Sequence, residues 1–365
     1  MDIIPPPCRW GILGSASIAM KNWHALLNAG NCRIIAVASR SRANAHRFIE
    51  MCQASAPTGY PVDAVEGYAP LLERDDIDAV YIPLPTAVRA EWAIKAAQAG
   101  KHIVIEKPCG VNAAELQRIL DTAEQYGVQI MDGTMLQHSS RLAAIREALS
   151  DEEQFGEIRR ITSHFSFMGD PAWVERNRAL EPAGCLGDVG WYNIRLTLNT
   201  MDNSMPRAVR GKMLQGVARL DGGMTPTEFE GELMFDNGVT ATLYNAFNTS
   251  RQQWAVISGT RGYLHIKDFV LPHYGNEVSF VLGNDRFEGR GCFFNLERHE
   301  RTVALPEYSN NHPSAQESQL YRAFAELVLT GKRDAFWPRI MLQTQRILDA
   351  LLASANAGGA TIRLS

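Results

Sequence analysis

A lysine stands where a buried parallel strand would surface: Glu106-Lys107-Pro108 follows the apolar run His102-Ile103-Val104-Ile105. An amine at the mouth of such a sheet can hydrogen-bond a substrate hydroxyl or carbonyl, and it favours the charged form of a neighbouring acid. The alternative is a surface lysine opening a loop whose proline stops the strand. A second group could complete the chemistry. In Gly184-Cys185-Leu186-Gly187-Asp188-Val189-Gly190-Trp191-Tyr192-Asn193, Asp188 and Tyr192 are four apart and so share one face of a helix. Beside a lysine ammonium a tyrosine hydroxyl ionises more readily and can pass a proton. The competing reading is a buried tyrosine bonded to Asp188 for stability.

The elements that must hold these groups alternate in type. Strands are expected at Trp10–Leu13, Arg33–Ala38, Val62–Val65, Asp78–Ile82, His102–Ile105 and Val128–Met131. Helices fall between them at Ile18–Asn28, Ala43–Cys52, Ala87–Gln98 and Ala113–Tyr126. This alternation predicts a doubly wound parallel sheet of Rossmann type. After Gly133 the pattern changes: helices at Arg141–Leu149 and Leu186–Leu198 frame a strand at Ile158–Phe167. Strand-like runs follow at Arg207–Ala218, Glu228–Phe235, Val239–Phe247, Trp254–Ser258, Tyr263–Ile266 and Glu277–Val281. Turn signals at Asp236-Asn237-Gly238 and Thr260-Arg261-Gly262 make them hairpins. Two helices, Ala315–Leu329 and Ile340–Ala355, close the chain. The expected fold class is therefore α/β, with an N-terminal Rossmann domain over residues 1–132 and a C-terminal α+β domain over residues 133–365. The second is built on a mostly antiparallel open sheet.

The first strand runs into Gly14-Ser15-Ala16-Ser17-Ile18-Ala19, the place of a dinucleotide fingerprint. Gly14 suits the tight turn and Ala19 the close helix packing, while Ala16 leaves a methyl group where the middle glycine approaches pyrophosphate. From Ile3 to Ile49 there is no acidic residue, whereas Arg9, Lys21, Arg33, Arg40, Arg42 and Arg47 are all present. An NAD site wants a carboxylate at the end of the second strand. Here that end reads Ser39-Arg40-Ser41, with two hydroxyls and a planar cation suited to a 2′-phosphate. NADP(H) is therefore expected before NAD(H).

A chain of 365 residues exceeds the size at which single cores stop growing, which agrees with two domains. Net charge of −4 calls for neither nucleic acid nor an anionic membrane. The six cysteines contain no Cys-x-x-Cys pair, so a zinc cage and a disulfide framework are not expected. Histidine spacing likewise indicates no metal. No apolar stretch reaches a membrane span, and Met1–Pro7 lacks the features of a signal peptide; its prolines suggest a short extended arm in a cytoplasmic protein.

Together the turn at Gly14, Glu106-Lys107-Pro108 and Asp188-x-Gly190-x-Tyr192 resemble the glucose-fructose oxidoreductase / inositol dehydrogenase (Gfo/Idh/MocA) family, in particular its tyrosine-type sugar 3-ketoreductases and dihydrodiol dehydrogenases. The resemblance extends to Asp78-Ala79-Val80-Tyr81-Ile82-Pro83-Leu84-Pro85. It implies that Lys107 contacts the reacting oxygen, that Tyr192 is the general acid/base, and that Asp188 binds a substrate hydroxyl. It further implies a cis Lys107-Pro108 bond, Pro83, Leu84, Pro85 and Thr86 beside the adenine and nicotinamide ribose, and Glu106 beside the nicotinamide. His138 is a candidate substrate contact or simply a helix-start residue. Arg89 departs from the histidine that many relatives carry, so that contact is not carried over. The implied activity is an NADP(H)-dependent interconversion of a secondary alcohol and a ketone on a sugar or sugar-like polyol. A cyclic trans-diol dehydrogenase and a non-catalytic NADP-binding sensor are the alternatives. The partners implied are the small substrate and a second copy of the chain, as a homodimer or homotetramer paired through the C-terminal sheet.

Overall fold

The computed structural model describes residues 6–364, so the arm expected at Met1–Pro7 lies mostly outside the described residues. The chain divides into two compact units. One runs to His138 and takes in Ala179–Pro182 and Asn310–Arg346; the other holds Ser139–Arg178, Ala183–Ser309 and the chain from Ile347 onward.

In chain order the first unit contains β1 (Cys8–Leu13), α1 (Ser17–Asn28), β2 (Cys32–Ser39), α2 (Arg42–Ser55), β3 (Asp63–Glu66), the short α3 (Ala69–Leu72), β4 (Ala79–Ile82), α4 (Thr86–Gln98), β5 (His102–Ile105), α5 (Ala113–Gln125) and β6 (Ile130–Asp132). Its strands form a parallel sheet in the order β3-β2-β1-β4-β5-β6, which is the doubly wound order with its switch point between β1 and β4. Helices cover both faces, so β4 and all of β5 but His102 are buried, which is why they read as unbroken apolar runs. α5 buries Leu116, Ile119, Leu120 and Ala123 on one stripe. Asn112 Oδ1 caps its start by accepting from Glu115 N at 2.8 Å, and Glu115 Oε1 accepts from Val111 N at 3.0 Å.

β1 is also joined by charge to the residue that precedes β4. The Asp78 carboxylate accepts from the Arg9 guanidinium at 2.6 and 3.0 Å and from Arg9 N at 2.8 Å. Burial pushes this carboxyl up, but the Arg9 bonds outweigh it and hold it below the ordinary range. A depressed pKa stabilises the fold above the unfolded value of about 3.9, and that contribution is lost as pH falls through the folded value. Asp78→Asn should flatten the acid limb of the stability profile below about pH 4, read by urea unfolding across that range.

The second unit contains α6 (Arg141–Leu149), β7 (Ile158–Met168), α7 (Pro171–Asn177), a π-helical turn (Leu186–Gly190), α8 (Trp191–Thr200), β8 (Ala208–Ala218), β9 (Met224–Met234), β10 (Thr240–Ala246), β11 (Asn248–Gly259), β12 (Tyr263–Ile266), β13 (Glu277–Gly283), β14 (Arg286–Arg290), β15 (Phe293–Glu297) and β16 (Glu300–Pro306). The chain then makes α9 (Gln316–Thr330), α10 (Phe336–Asn356) and β17 (Ile362–Arg363). Nine strands form one sheet in the order β16-β13-β12-β11-β7-β10-β9-β8-β17, antiparallel except for the β7–β10 pair. The predicted turns at Asp236–Gly238 and Thr260–Gly262 are both hairpins of this sheet. Over 161–165 of β7, 240–245 of β10 and 252–258 of β11 buried and half-buried residues alternate, with Ile161, Ala241, Leu243, Ala255 and Ile257 in the core. The alternate positions Thr162, His164, Thr242, Tyr244 and Trp254 line an open face.

Two departures from expectation have physical reasons. The stretch from Arg286 to Pro306 is stranded although its charges and glycines carry no core signal; every residue of β14 and β15 is exposed. α9 belongs to the unit of the first sheet, where Tyr321 and Phe324 pack on the buried Trp10 ring at centroid distances of 5.3 and 5.5 Å. Arg322 Nε donates to Ala29 O at 2.7 Å, and Lys21 pairs with Glu317 at 2.6 Å.

Candidate active site

Gly14 adopts φ +123°, a conformation for which other residues are strained, and its N–H donates to Ala38 O at 2.8 Å. A Cβ there would lie 3.1 Å from Leu84 Cδ2, so the turn needs glycine for space as well as for conformation. α1 begins after Ala16, which offers no side-chain cap, and its first turn carries no acid. Ser15, Ser17 and Ile18 are exposed and Ala16 half-buried. A helix N-terminus of this kind suits an anion, and the glycine turn leaves room for close approach. These features fit a dinucleotide pyrophosphate.

At the end of β2, Ser39 is buried with its hydroxyl 3.3 Å from that of Ser15. Ser41 caps α2 by accepting from Asn44 N at 3.3 Å, which leaves its hydroxyl hydrogen available as a donor. Arg40 is exposed and has no hydrogen bond or ion pair among the described residues. One carboxylate the linear reading passed over is here: Glu66 on β3 is the register partner of Ser39 and accepts from Arg42 N at 3.4 Å. Arg42 itself donates through Nε to Ala64 O at 3.2 Å. Arg40 is therefore the guanidinium still open to a ligand at this edge.

Beyond β4, Pro83 and Leu84 are buried and Pro85 half-buried. Thr86 starts α4 with its hydroxyl donating to Glu181 Oε2 at 2.5 Å and its N–H to Glu181 Oε1 at 3.1 Å. A carboxylate at this helix start is favourable to the helix dipole. Beyond β5 lies Glu106, 8% exposed. Its Oε1 accepts from the Tyr81 hydroxyl at 2.6 Å and more distantly from Asn22 Nδ2 at 3.5 Å, while Asn22 Nδ2 also donates to Tyr81 Oη at 2.5 Å. Burial, and then the nearby Glu106 charge, push the Tyr81 hydroxyl well up, so it remains a proton donor. At Gly133 a Cβ would approach Glu106 Oε1 to 3.1 Å. Lys107 is half-buried, and the Lys107–Pro108 bond is cis as the resemblance implied. His138 ends a 3₁₀ turn (Met135–His138), its ring stacked on Trp337 at 4.9 Å and 7°.

In the second unit, Asp188 lies not in a regular helix, as its spacing suggested, but in the wider π turn ahead of α8. Glycines permit this path. Gly184 has φ +49° and an added Cβ would meet Pro226 O at 2.0 Å; at Gly190 it would meet Asn245 Oδ1 at 2.7 Å. Such π turns recur at functional sites. Asp188 is half-buried and Tyr192, in the first α-helical turn, is buried with Phe165 at 5.8 Å between ring centroids. Asn193 anchors that turn by donating to Ser163 Oγ at 2.8 Å and accepting from Asn245 Nδ2 at 2.9 Å. Trp191 is fully buried and fills the core beside this turn. Among the described residues no cluster of three or more His, Cys, Asp or Glu is placed to hold a metal, and no helix is long and apolar enough to cross a membrane.

The chain matches the profile of an oxidoreductase family with an NAD-binding Rossmann fold, Gfo/Idh/MocA, over residues 8–134, and that of the C-terminal domain of the same family over residues 143–265. It belongs to the Gfo/Idh/MocA family. Within this family it is 29% identical to a dTDP-3,4-didehydro-2,6-dideoxy-alpha-D-glucose 3-reductase of Actinomadura kijaniata over 96% of each chain. It is 28% identical to a D-xylose 1-dehydrogenase (NADP(+)) 2 of Haloferax volcanii over 96% of this chain and 98% of that one. The crystal structure of a 3-ketoreductase from Actinomadura kijaniata with NADP and TDP-benzene is similar with a TM-score of 0.79 at 27% identity, covering 95% and 98% of the two chains. That ketoreductase has also been solved with a lysine replaced by alanine and with a tyrosine replaced by phenylalanine. This Gfo/Idh/MocA chain is an oxidoreductase.

Sequence reasoning passed over Asn22, Tyr81, Glu181, Asn193 and Asn245 as supports of the candidate residues. Tyr81 lay within a quoted motif, but nothing in its spacing pointed to Glu106. Glu181 reaches Thr86 across 95 residues, a separation that periodicity cannot bridge.

Proposed function

We propose that this chain is an NADP(H)-dependent oxidoreductase that interconverts a secondary alcohol and a ketone on a sugar or sugar-like polyol. The observation that carries the reading is Lys107, half-buried at the carboxyl end of β5 and directly after a carboxylate locked by Tyr81 and Asn22. Ligands of open α/β sheets bind outside the carboxyl ends of the strands. The sugar reductase and the pentose dehydrogenase among the relatives support the substrate class.

Gly14, Ser15, Ala16, Ser17 and Ile18 would hold the pyrophosphate, and Ser39, Arg40 and Ser41 the 2′-phosphate. Pro83, Leu84, Pro85 and Thr86 would border the ribose and adenine, with Glu106 at the nicotinamide. Bound there, the cofactor would supply or accept the hydride. Lys107 donates a hydrogen bond to the reacting oxygen, stabilising negative charge as it develops. Tyr192 gives or takes the hydroxyl proton, Asp188 accepts from a neighbouring substrate hydroxyl, and His138 offers one further substrate contact. The unit of the six-stranded sheet is thus the nucleotide-binding one. The nine-stranded sheet serves substrate binding and self-association, in a cytoplasmic homodimer or homotetramer. Its open face, where the His164 ring lies between Tyr244 at 4.7 Å and Trp254 at 5.5 Å, supports the pairing.

The test is turnover with NADP+ and NADPH on a panel of aldoses, keto-sugars, cyclitols and cyclic trans-diols. Oxidation of the diols alone would move the substrate class, and tight NADPH binding without turnover of any member would overturn the enzyme reading. Arg40→Ala should raise KM for NADPH by about 10- to 100-fold, the loss of one or two charge-assisted bonds, while KM for NADH changes by less than about two-fold. Equal effects on both cofactors would remove Arg40 from the 2′-phosphate.

A further inference from the structure

Arg89 is 3% exposed and lies in the first turn of α4. Both facts are unfavourable to a cation, one through desolvation and the other through the helix dipole. No carboxylate pairs with it among the described residues. Its charge is instead met by three main-chain carbonyls: Nε donates to Leu84 O at 2.8 Å, and Nη1 to Glu106 O at 2.8 Å and to Pro108 O. Two of these acceptors flank Lys107 in the chain, and the third lies in the Pro83–Thr86 segment that follows β4.

A planar guanidinium presents its donors in a fixed fork, so carbonyls bound to it are held in relation to one another. A neutral histidine has at most one N–H to give, and a lysine is a point donor on a flexible stem. Neither can reproduce the clamp. An apolar residue would avoid the cost of burial but leave buried carbonyls at both loop ends without these donors.

We infer that Arg89 is a positioning residue, whose guanidinium fixes the main chain on both sides of Lys107 against the Leu84 carbonyl and thereby aims the Lys107 side chain. This rests on the reading that Lys107 contacts the reacting oxygen, and it adds how the lysine is held. Misplacement of a reacting group by about 1 Å is enough to cost about 100-fold in rate.

The experiment compares wild type, Arg89→Met, Arg89→Lys and Lys107→Met by two independent readouts. The first is amide hydrogen exchange followed by mass spectrometry on peptides spanning residues 83–86 and 106–110. In Arg89→Met these should exchange at least about 10-fold faster while β1 and β4 keep wild-type protection; faster exchange throughout the sheet would mean a general loss of stability and would overturn the inference. The second is turnover with NADP+ and the sugar of the panel that wild type oxidises fastest. There kcat should fall by about 10- to 100-fold, a larger change than the accompanying rise in KM for NADP+, and Arg89→Lys should recover part of the loss. Wild-type kcat and wild-type exchange in Arg89→Met would overturn the inference. Should Arg89→Met fail to fold, Arg89→Lys decides by the same two readouts, with smaller changes of the same sign expected. Full activity in Lys107→Met would defeat the role given to Lys107, whereas the exchange result would still report on whether Arg89 fixes these two loops.

Discussion

Replacing Tyr192 by phenylalanine should lower kcat by about 10²- to 10⁴-fold, the contribution of a positioned general acid or base, with NADPH affinity within about two-fold of wild type. Removal of the hydroxyl alone keeps the ring, and with it the contact to Phe165 at 5.8 Å that seats the start of α8. Asn193, one residue on, holds the same turn through Ser163 and Asn245, so the backbone has no reason to move. Lys107→Met should cost about 10²- to 10³-fold by removing a donor to the reacting oxygen. Steady-state kinetics give kcat, and quenching of protein fluorescence by NADPH gives affinity. Wild-type rates in both variants would take this lysine and this tyrosine out of the reaction.

The second large effect concerns stability. Arg141 and Asp268 form an ion pair at 2.6 Å with side chains only 3% and 11% exposed. Arg141 also donates to Asp268 O at 2.8 Å and Ser279 O at 3.2 Å, tying the start of α6 to β13 and to the loop after β12. Asp268→Ala leaves the guanidinium buried without its counter-charge and should destabilise the second unit by about 3–5 kcal/mol. Urea unfolding followed through the signal of the nine-stranded sheet checks this. The double variant Asp268→Ala, Arg141→Met removes the stranded charge and should recover much of the loss. If it proves additive, the pair is not the cause.

What could be read from the sequence was what burial writes into it. β4 and β5 were legible because helices cover both faces, so their apolar runs have no other reading. Gly14 was legible because a positive φ beside Leu84 strains any other residue. β14 and β15 were not, because wholly exposed strands leave no alternation to detect. The π turn at Leu186–Gly190 escaped for another reason: residue propensity does not encode which carbonyl a given N–H will choose, and the glycines that permit the wider turn also permit a loop. Arg89 was noticed only as a departure from a pattern. Its partners are main-chain carbonyls, and every residue carries one of those, so no side-chain type betrays the contact.

A ribosome making this chain extrudes all six strands of the parallel sheet early, yet Trp10 at its centre gains Tyr321 and Phe324 only after every strand of the larger sheet except β17 has been synthesised. Domains often complete themselves as they emerge; this one must wait for the helix that packs on Trp10. A chain that ends before α9 therefore lacks both rings that close over Trp10.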